Sequence, residues 1–193
     1  MTFKASEMRK NKSNVRKNLI LLYVHYLLVA LWIGLMIVIV WFSGQSADES
    51  TEQSLAVGKF ICHLVVSGFD SLSEVSKLDY AMALDKIVRK SAHFCEYAAL
   101  GALTFNASYV VFGFLRIFKR VNLKNNYMII SSLLWCILFA ASDEIHQIFV
   151  PGRYGSPFDV LLDTAGAALG ILVVILIGKL FNRSKSPSKA ADT

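Results

Sequence analysis

Residues 142–163 read SDEIHQIFVPGRYGSPFDVLLD and hold Asp143, Glu144, His146, Arg153, Asp159 and Asp163 between two long apolar runs. Residues 88–101, VRKSAHFCEYAALG, hold Arg89, Lys90, His93 and Glu96. Imidazoles among carboxylates are the groups of general acid–base chemistry, and arginine holds phosphate bidentately. The spacing within each segment is helical. Arg89, His93 and Glu96 follow i, i+4, i+7, and Asp143, His146 and Gln147 follow i, i+3, i+4. Asp159, Asp163 and Gly166 again follow i, i+4, i+7. Three helices would each present one polar stripe.

Several chemistries fit these stripes. His93, Glu96, Asp143, His146 and Asp163 form a candidate catalytic set, with His146 and Asp143 as a base–orienter pair. Arg89, Lys90 and Arg153 stand where a phosphate or pyrophosphate would lie. No nucleophile stands out, since Ser91 and Tyr97 carry no distinguishing signal. His93-x-x-Glu96 and Asp143-x-x-His146, with Asp163, also offer ligands for Zn²⁺ or a harder cation. That spacing suits ordinary hydrogen bonds equally, so no metal residue is assigned and no cofactor is identified. Plainer roles compete. Asp159, after Ser156-Pro157, suits a helix cap, and Glu144, off its stripe, suits a solvated surface. A buried Asp–His–Arg network can also serve only to hold helices in register.

The positioning elements are apolar. The chain has 193 residues, 55% of them hydrophobic, and a mean hydropathy of +0.51, too apolar for an ordinary soluble domain. About 20 apolar residues cross a bilayer core, and four such stretches are expected at about 19–42, 88–114, 126–149 and 158–180. The first is too long for a cleavable signal peptide and lacks a clear cleavage site, so it is read as a retained helix. The expected class is an all-α polytopic membrane protein with four transmembrane helices plus an extracytoplasmic amphipathic helix. The divisions are a basic cytoplasmic N-terminus, 1–18, a transmembrane domain, 19–181, and a disordered cytoplasmic tail, 182–193.

Charge orients the bundle. Residues 1–17, the loop 116–124 and the tail from Lys179 carry fourteen of the twenty Lys and Arg residues but two of the fourteen acidic ones. The positive-inside rule puts both termini and that loop in the cytoplasm of a multi-pass cell-membrane protein. The basic balance is thus accounted for without nucleic acid, and the basic ends suit anionic lipid. The polar ends of spans two, three and four then share the outer side. Asp143 lies roughly 9–12 Å below the Pro151 turn and Asp163 roughly 9 Å below Pro157. A central ionisable residue costs about 2.5–3.5 kcal/mol on insertion scales, so these groups should face inward, pair, and mark a functional site. The inner halves are apolar, with LGILVVILIG at 169–178, which argues against a conduit.

Between spans one and two, FSGQSADESTEQS at 42–54 offers Ser and Asp caps. In the following LAVGKFICHLVV, Val57, Phe60, Ile61, Leu64 and Val65 share one helical face, with Lys59 and His63 on another. This segment, 51–70, is expected on the outer membrane surface or packed on the bundle near the cavity mouth. The three cysteines, Cys62, Cys95 and Cys136, imply no disulfide framework. Ala165, Gly166, Ala167, Ala168 and Gly170 allow close helix packing, within one chain or in a homo-oligomer.

FSGQS at 42–46, RKSAHFCEYAALG at 89–101 and SDEIHQIFVPGRYGSPFDVLLDTAGAALG at 142–170 together resemble the VanZ-like membrane protein family. The likeness covers nearly the whole chain, in order. It adds Ser43, Gln45 and Tyr97 to Arg89, Lys90, Glu144, Gln147, Arg153 and Asp159 as candidate ligand-binding residues. It implies an envelope protein of Gram-positive bacteria, similar to the resistance-cluster accessory protein that raises tolerance of teicoplanin and related glycopeptides. The implied partner is a membrane lipid, such as a phosphate-bearing envelope lipid. The resemblance carries a phenotype class and no reaction.

Overall fold

The computed structural model describes residues 2–119 and 125–184. Five α-helices follow one another: α1 Thr2–Ser43, α2 Ala47–Val65, α3 Glu74–Lys119, α4 Asn125–Gln147 and α5 Pro157–Ser184. A short 3₁₀ turn, Phe69–Ser71, lies between α2 and α3, and the described residues contain no strand. Among the described residues, three segments are long and apolar enough to cross a membrane: Leu22–Ser43, Asn126–Gln147 and Pro157–Phe181. The stretch expected at 88–114 lies inside α3, whose 46 residues extend about 69 Å, more than twice a bilayer core. The helix thus begins well before the expected span and continues through 116–119, part of the expected loop. Residues 120–124 of that basic loop, and residues 185–193 of the tail expected to be disordered, lie outside the described residues.

Small residues set the packing. α5 lies against α3 so closely that a Cβ on Gly170 would sit 1.8 Å from the Ala98 carbonyl oxygen, and one on Gly166 would sit 2.4 Å from that of Phe94. From the other side, a Cβ on Gly101 would meet the Ala167 carbonyl oxygen at 2.2 Å. The small-residue stretch of α5 therefore works within the chain: Gly166, Ala167 and Gly170 are buried, while Ala165 and Ala168 are exposed. Dispersion contacts between closely spaced backbones hold helices together where lipid offers no hydrophobic drive. Ile39, Tyr97, Leu100, Cys136, Ala140 and Ala167 form the core where α1, α3, α4 and α5 meet. Thr104 on α3 accepts a 2.9 Å hydrogen bond from the indole of Trp32 on α1. All three cysteines are free thiols.

α2 is capped as its sequence suggests. Ser46 and Glu49 form a reciprocal capping box at its N-terminus. The apolar face of Val57, Phe60, Leu64 and Val65 is exposed, and the helix instead packs on α3 through Ser54, Gly58 and Cys62. A Cβ on Gly58 would meet the Ala81 carbonyl oxygen at 3.2 Å, so the small face permits the contact that the large one would prevent.

Candidate functional site

The α4–α5 turn, 148–156, is pinned from three sides. Its Pro151 carbonyl accepts the Ala47 backbone N–H at 3.1 Å, which ties it to the start of α2. Arg153 donates from Nη2 to the Phe42 carbonyl at 3.2 Å, which ties it to the end of α1. The Ser156 backbone N–H donates to Glu144 at 2.7 Å, which folds the turn back over α4. Gly152 makes this path possible. It has φ +74°, and a Cβ there would stand 2.9 Å from the Cβ of Ala47.

A cavity of about 570 Å³ opens beneath the turn. Lys86, Arg89, Lys90 and His93 line it from α3, Glu144 and Gln147 from α4, and Asp159 and Asp163 from α5. Ser50, Thr51 and Arg153 complete the mouth. A second hollow, of about 260 Å³, lies between the end of α1, α2 and α3, where Phe42, Val57 and Val88 give it an apolar lining, with Gln45 and Glu96 beside them. Ser50, Arg89, His93 and Arg153 border both.

The mouth is cationic. Arg89 is held by Asp85, one helical turn earlier, at 2.7 Å, and Asp85 also takes a hydrogen bond from Ser54 of α2. Lys90 bonds Asp159 across to α5, so Asp159 acts as more than a helix cap. Arg153 has no carboxylate within ion-pair distance among the described residues, and its buried Nε has no hydrogen-bond partner there. Burial lowers its pKa from the ordinary 12.5 and the nearby charge of Arg89 lowers it further, against the pull of Asp143 and Glu144. Two guanidiniums that disfavour one another face the same opening.

Beneath the mouth the side chains turn acidic. Asp143 accepts from Ser43 of α1 at 2.8 Å and from Gln147 at 3.2 Å through Oδ2. Asp163 is 1% exposed, and neither of its oxygens has a partner among the described residues. Tyr97, fully buried in the core, likewise keeps a hydroxyl without a partner. His93 stands 3.8 Å from Glu96, and its Nδ1 also lacks a hydrogen bond.

Most candidate residues thus converge, with two exchanges. Glu144, a ligand-binding candidate for which a solvated surface was the plainer alternative, is buried because the turn folds over it. His146, expected inside, is exposed and borders neither cavity, with Gly44, just after α1, as its neighbour. No hydrogen bond joins it to Asp143 among the described residues, so the base–orienter pair is not formed. Nor do three or more His, Cys, Asp or Glu side chains come together there as a metal-ligand set. Ser91 is exposed and borders neither cavity. Sequence reasoning passed over Asp85 and Lys86, although Asp85–Arg89 and Lys86–Lys90 are i, i+4 pairs on the stripe that carries His93.

The model of the VanZ/LLP1 family matches residues 24–178, which include every side chain of the site. The chain belongs to the VanZ/LLP1 family. No curated protein and no solved structure matches it. For a VanZ-like chain the geometry supplies what the motifs alone do not. FSGQS reaches the site through Ser43 on Asp143 and Gln45 beside the second hollow, and the 142–170 motif supplies both the floor and the turn that roofs it.

Proposed function

We propose that this chain is a cell-envelope protein that binds an anionic, phosphate-bearing lipid or cell-wall precursor at the outer leaflet, and so raises tolerance of teicoplanin and related glycopeptides. The membrane is crossed four times, α3 supplying the fourth passage through 88–114, and both termini are cytoplasmic. The observation that carries this reading is Arg153: a half-buried guanidinium with no carboxylate partner among the described residues, at a mouth it shares with Arg89. Arginine's planar fork suits phosphate oxygens, and a phosphate between two such groups would relieve their repulsion. His93, Glu96 and Asp163 stand below as acid–base groups.

A second reading, in which the polar residues only fasten helices, is favoured at Asp143 and Glu144. Their bonds to Ser43 and Ser156 tie α1, α4 and the turn together. Susceptibility to teicoplanin and vancomycin separates the two. A sensitive Gram-positive host would carry the wild-type chain, His93→Ala, Asp143→Asn, Arg153→Ala or Asp163→Asn, with membrane abundance measured for each. Variants at normal abundance that lose teicoplanin protection support a working site. Variants that vanish from the membrane support fastening, and a wild-type chain that protects against neither drug removes the link to tolerance.

A further inference from the structure

The acidic floor has a use that the cationic mouth does not explain. Four of the carboxylates near the cavity are occupied. Asp85 holds Ser54 and Arg89, and Asp159 holds Lys90. Glu144 accepts from the Ser156 backbone and from Gln147, and Asp143 accepts from Ser43 and Gln147 through Oδ2. Among the described residues, both oxygens of buried Asp163 lack a hydrogen-bond partner, and so does the second oxygen of Asp143. Neither residue, nor Glu144, has a cation within ion-pair distance among the described residues.

Asp163 is not brought inside by any partner of its own. It shares a face with Gly166 and Gly170, whose contact with α3 draws that face inward. A buried carboxyl without a donor is unfavourable, and native structures rarely leave one unmatched. Yet Asp163 borders the 570 Å³ cavity, so a donor can reach it from the mouth. An anion alone would satisfy Arg153 and leave Asp163 as bare as before.

We propose that the ligand is a phosphate ester carrying a second group that donates hydrogen bonds, an ammonium foremost, with Arg153 and Arg89 on the phosphate and Asp163 receiving the donor at the floor. This rests on the reading of the mouth as a phosphate site and adds the class of headgroup. Lipid headgroups and soluble amino-alcohol phosphates share that chemistry.

The test uses the full chain purified in detergent, with bound molecules counted by native mass spectrometry. The probes are phosphatidylethanolamine, phosphatidylcholine and phosphatidic acid with identical acyl chains. Phosphatidylcholine keeps the positive charge but has no N–H, and phosphatidic acid has neither. The wild-type chain should favour phosphatidylethanolamine over both by about ten-fold or more, the worth of a charge-assisted hydrogen bond. Asp163→Leu should erase that preference and Asp163→Asn should reduce it, while Arg153→Ala should weaken all three lipids alike. Soluble phosphoethanolamine is added as a competitor. If it displaces the lipid the ligand is a free headgroup compound, and if not it is a lipid; in both cases the preference for phosphatidylethanolamine is what supports the donor chemistry. Equal binding of the three lipids by the wild type, with Arg153→Ala still weakening them, overturns this inference and leaves the phosphate reading standing. Binding indifferent to Arg153→Ala overturns the phosphate reading itself.

Discussion

Replacing Gly170 by Ala would strain the contact that carries Asp163 into the bundle. The new Cβ would lie 1.8 Å from the Ala98 carbonyl oxygen, against an ordinary contact distance of about 3.4 Å. The obstacle is backbone, which cannot rotate away as a flexible side chain can. The helices must therefore separate locally by roughly 1.5 Å, and the neighbouring contacts at Gly166 and Gly101 loosen with them. Overpacking of this kind costs about 1–3 kcal/mol. With backbone as the obstacle the cost lies in the upper part of that range, about 2–3 kcal/mol, and alanine's better helix propensity returns about 1 kcal/mol, so the net loss is about 1–2 kcal/mol. A chain of this size loses about 2–4 °C in Tm per kcal/mol, which gives a fall of roughly 2–8 °C. Gly178, on the same helix, has nothing within 4 Å of its would-be Cβ, so Gly178→Ala should hold or raise Tm. A thiol-reactive dye that reports exposure of buried Cys62 and Cys136 on heating gives the readout for both variants. A Gly170→Ala protein as stable as Gly178→Ala would refute the claim that this close approach builds the bundle.

Other expectations are more local. Ser43→Ala removes the 2.8 Å bond to Asp143 in a fully buried place and should cost about 1–3 kcal/mol, whereas Ser142→Ala, on an exposed hydroxyl, should cost less than about 0.5; thermal unfolding compares them. The capping box holds the Glu49 carboxyl below its ordinary value of 4.5, so its support for α2 is present above that pH and lost as pH falls through the lower folded value. The protection of the Ser46 and Glu49 amides against exchange, taken relative to their intrinsic rates at each pH, should therefore fall on acidification, and Glu49→Gln should abolish that dependence. In a background without native cysteines, a cysteine at Ser73 should react with a membrane-impermeant thiol reagent outside intact cells, and one at Asn122 should not; the reverse pattern would invert the topology.

Much of this arrangement was legible in the residues, and the misses have physical causes. Apolar runs located the three segments long and apolar enough to cross a membrane among the described residues, and the small-residue stretch of α5 announced a close contact. Which face of α4 was buried could not be read from spacing alone. Asp143, Glu144, His146 and Gln147 lie within little more than one turn, and the fold-back of the turn, fixed by Glu144 on the Ser156 backbone, chose Glu144 over His146. A main-chain partner twelve residues away leaves no side-chain pattern to detect. The start of α3 at Glu74 was missed because residues 74–87 carry too many charges to resemble a span. Asp85, by contrast, stood one turn before Arg89 in plain view.

The claim on which the rest depends is that Arg153 helps to hold a phosphate, and its most direct measurement is the phosphorus that remains with the purified protein. The wild-type chain, washed extensively in detergent, should retain phosphate-bearing lipid near one molecule per chain, and Arg153→Ala, matched for yield and Tm, should retain far less. Equal retention by the two proteins would contradict the account.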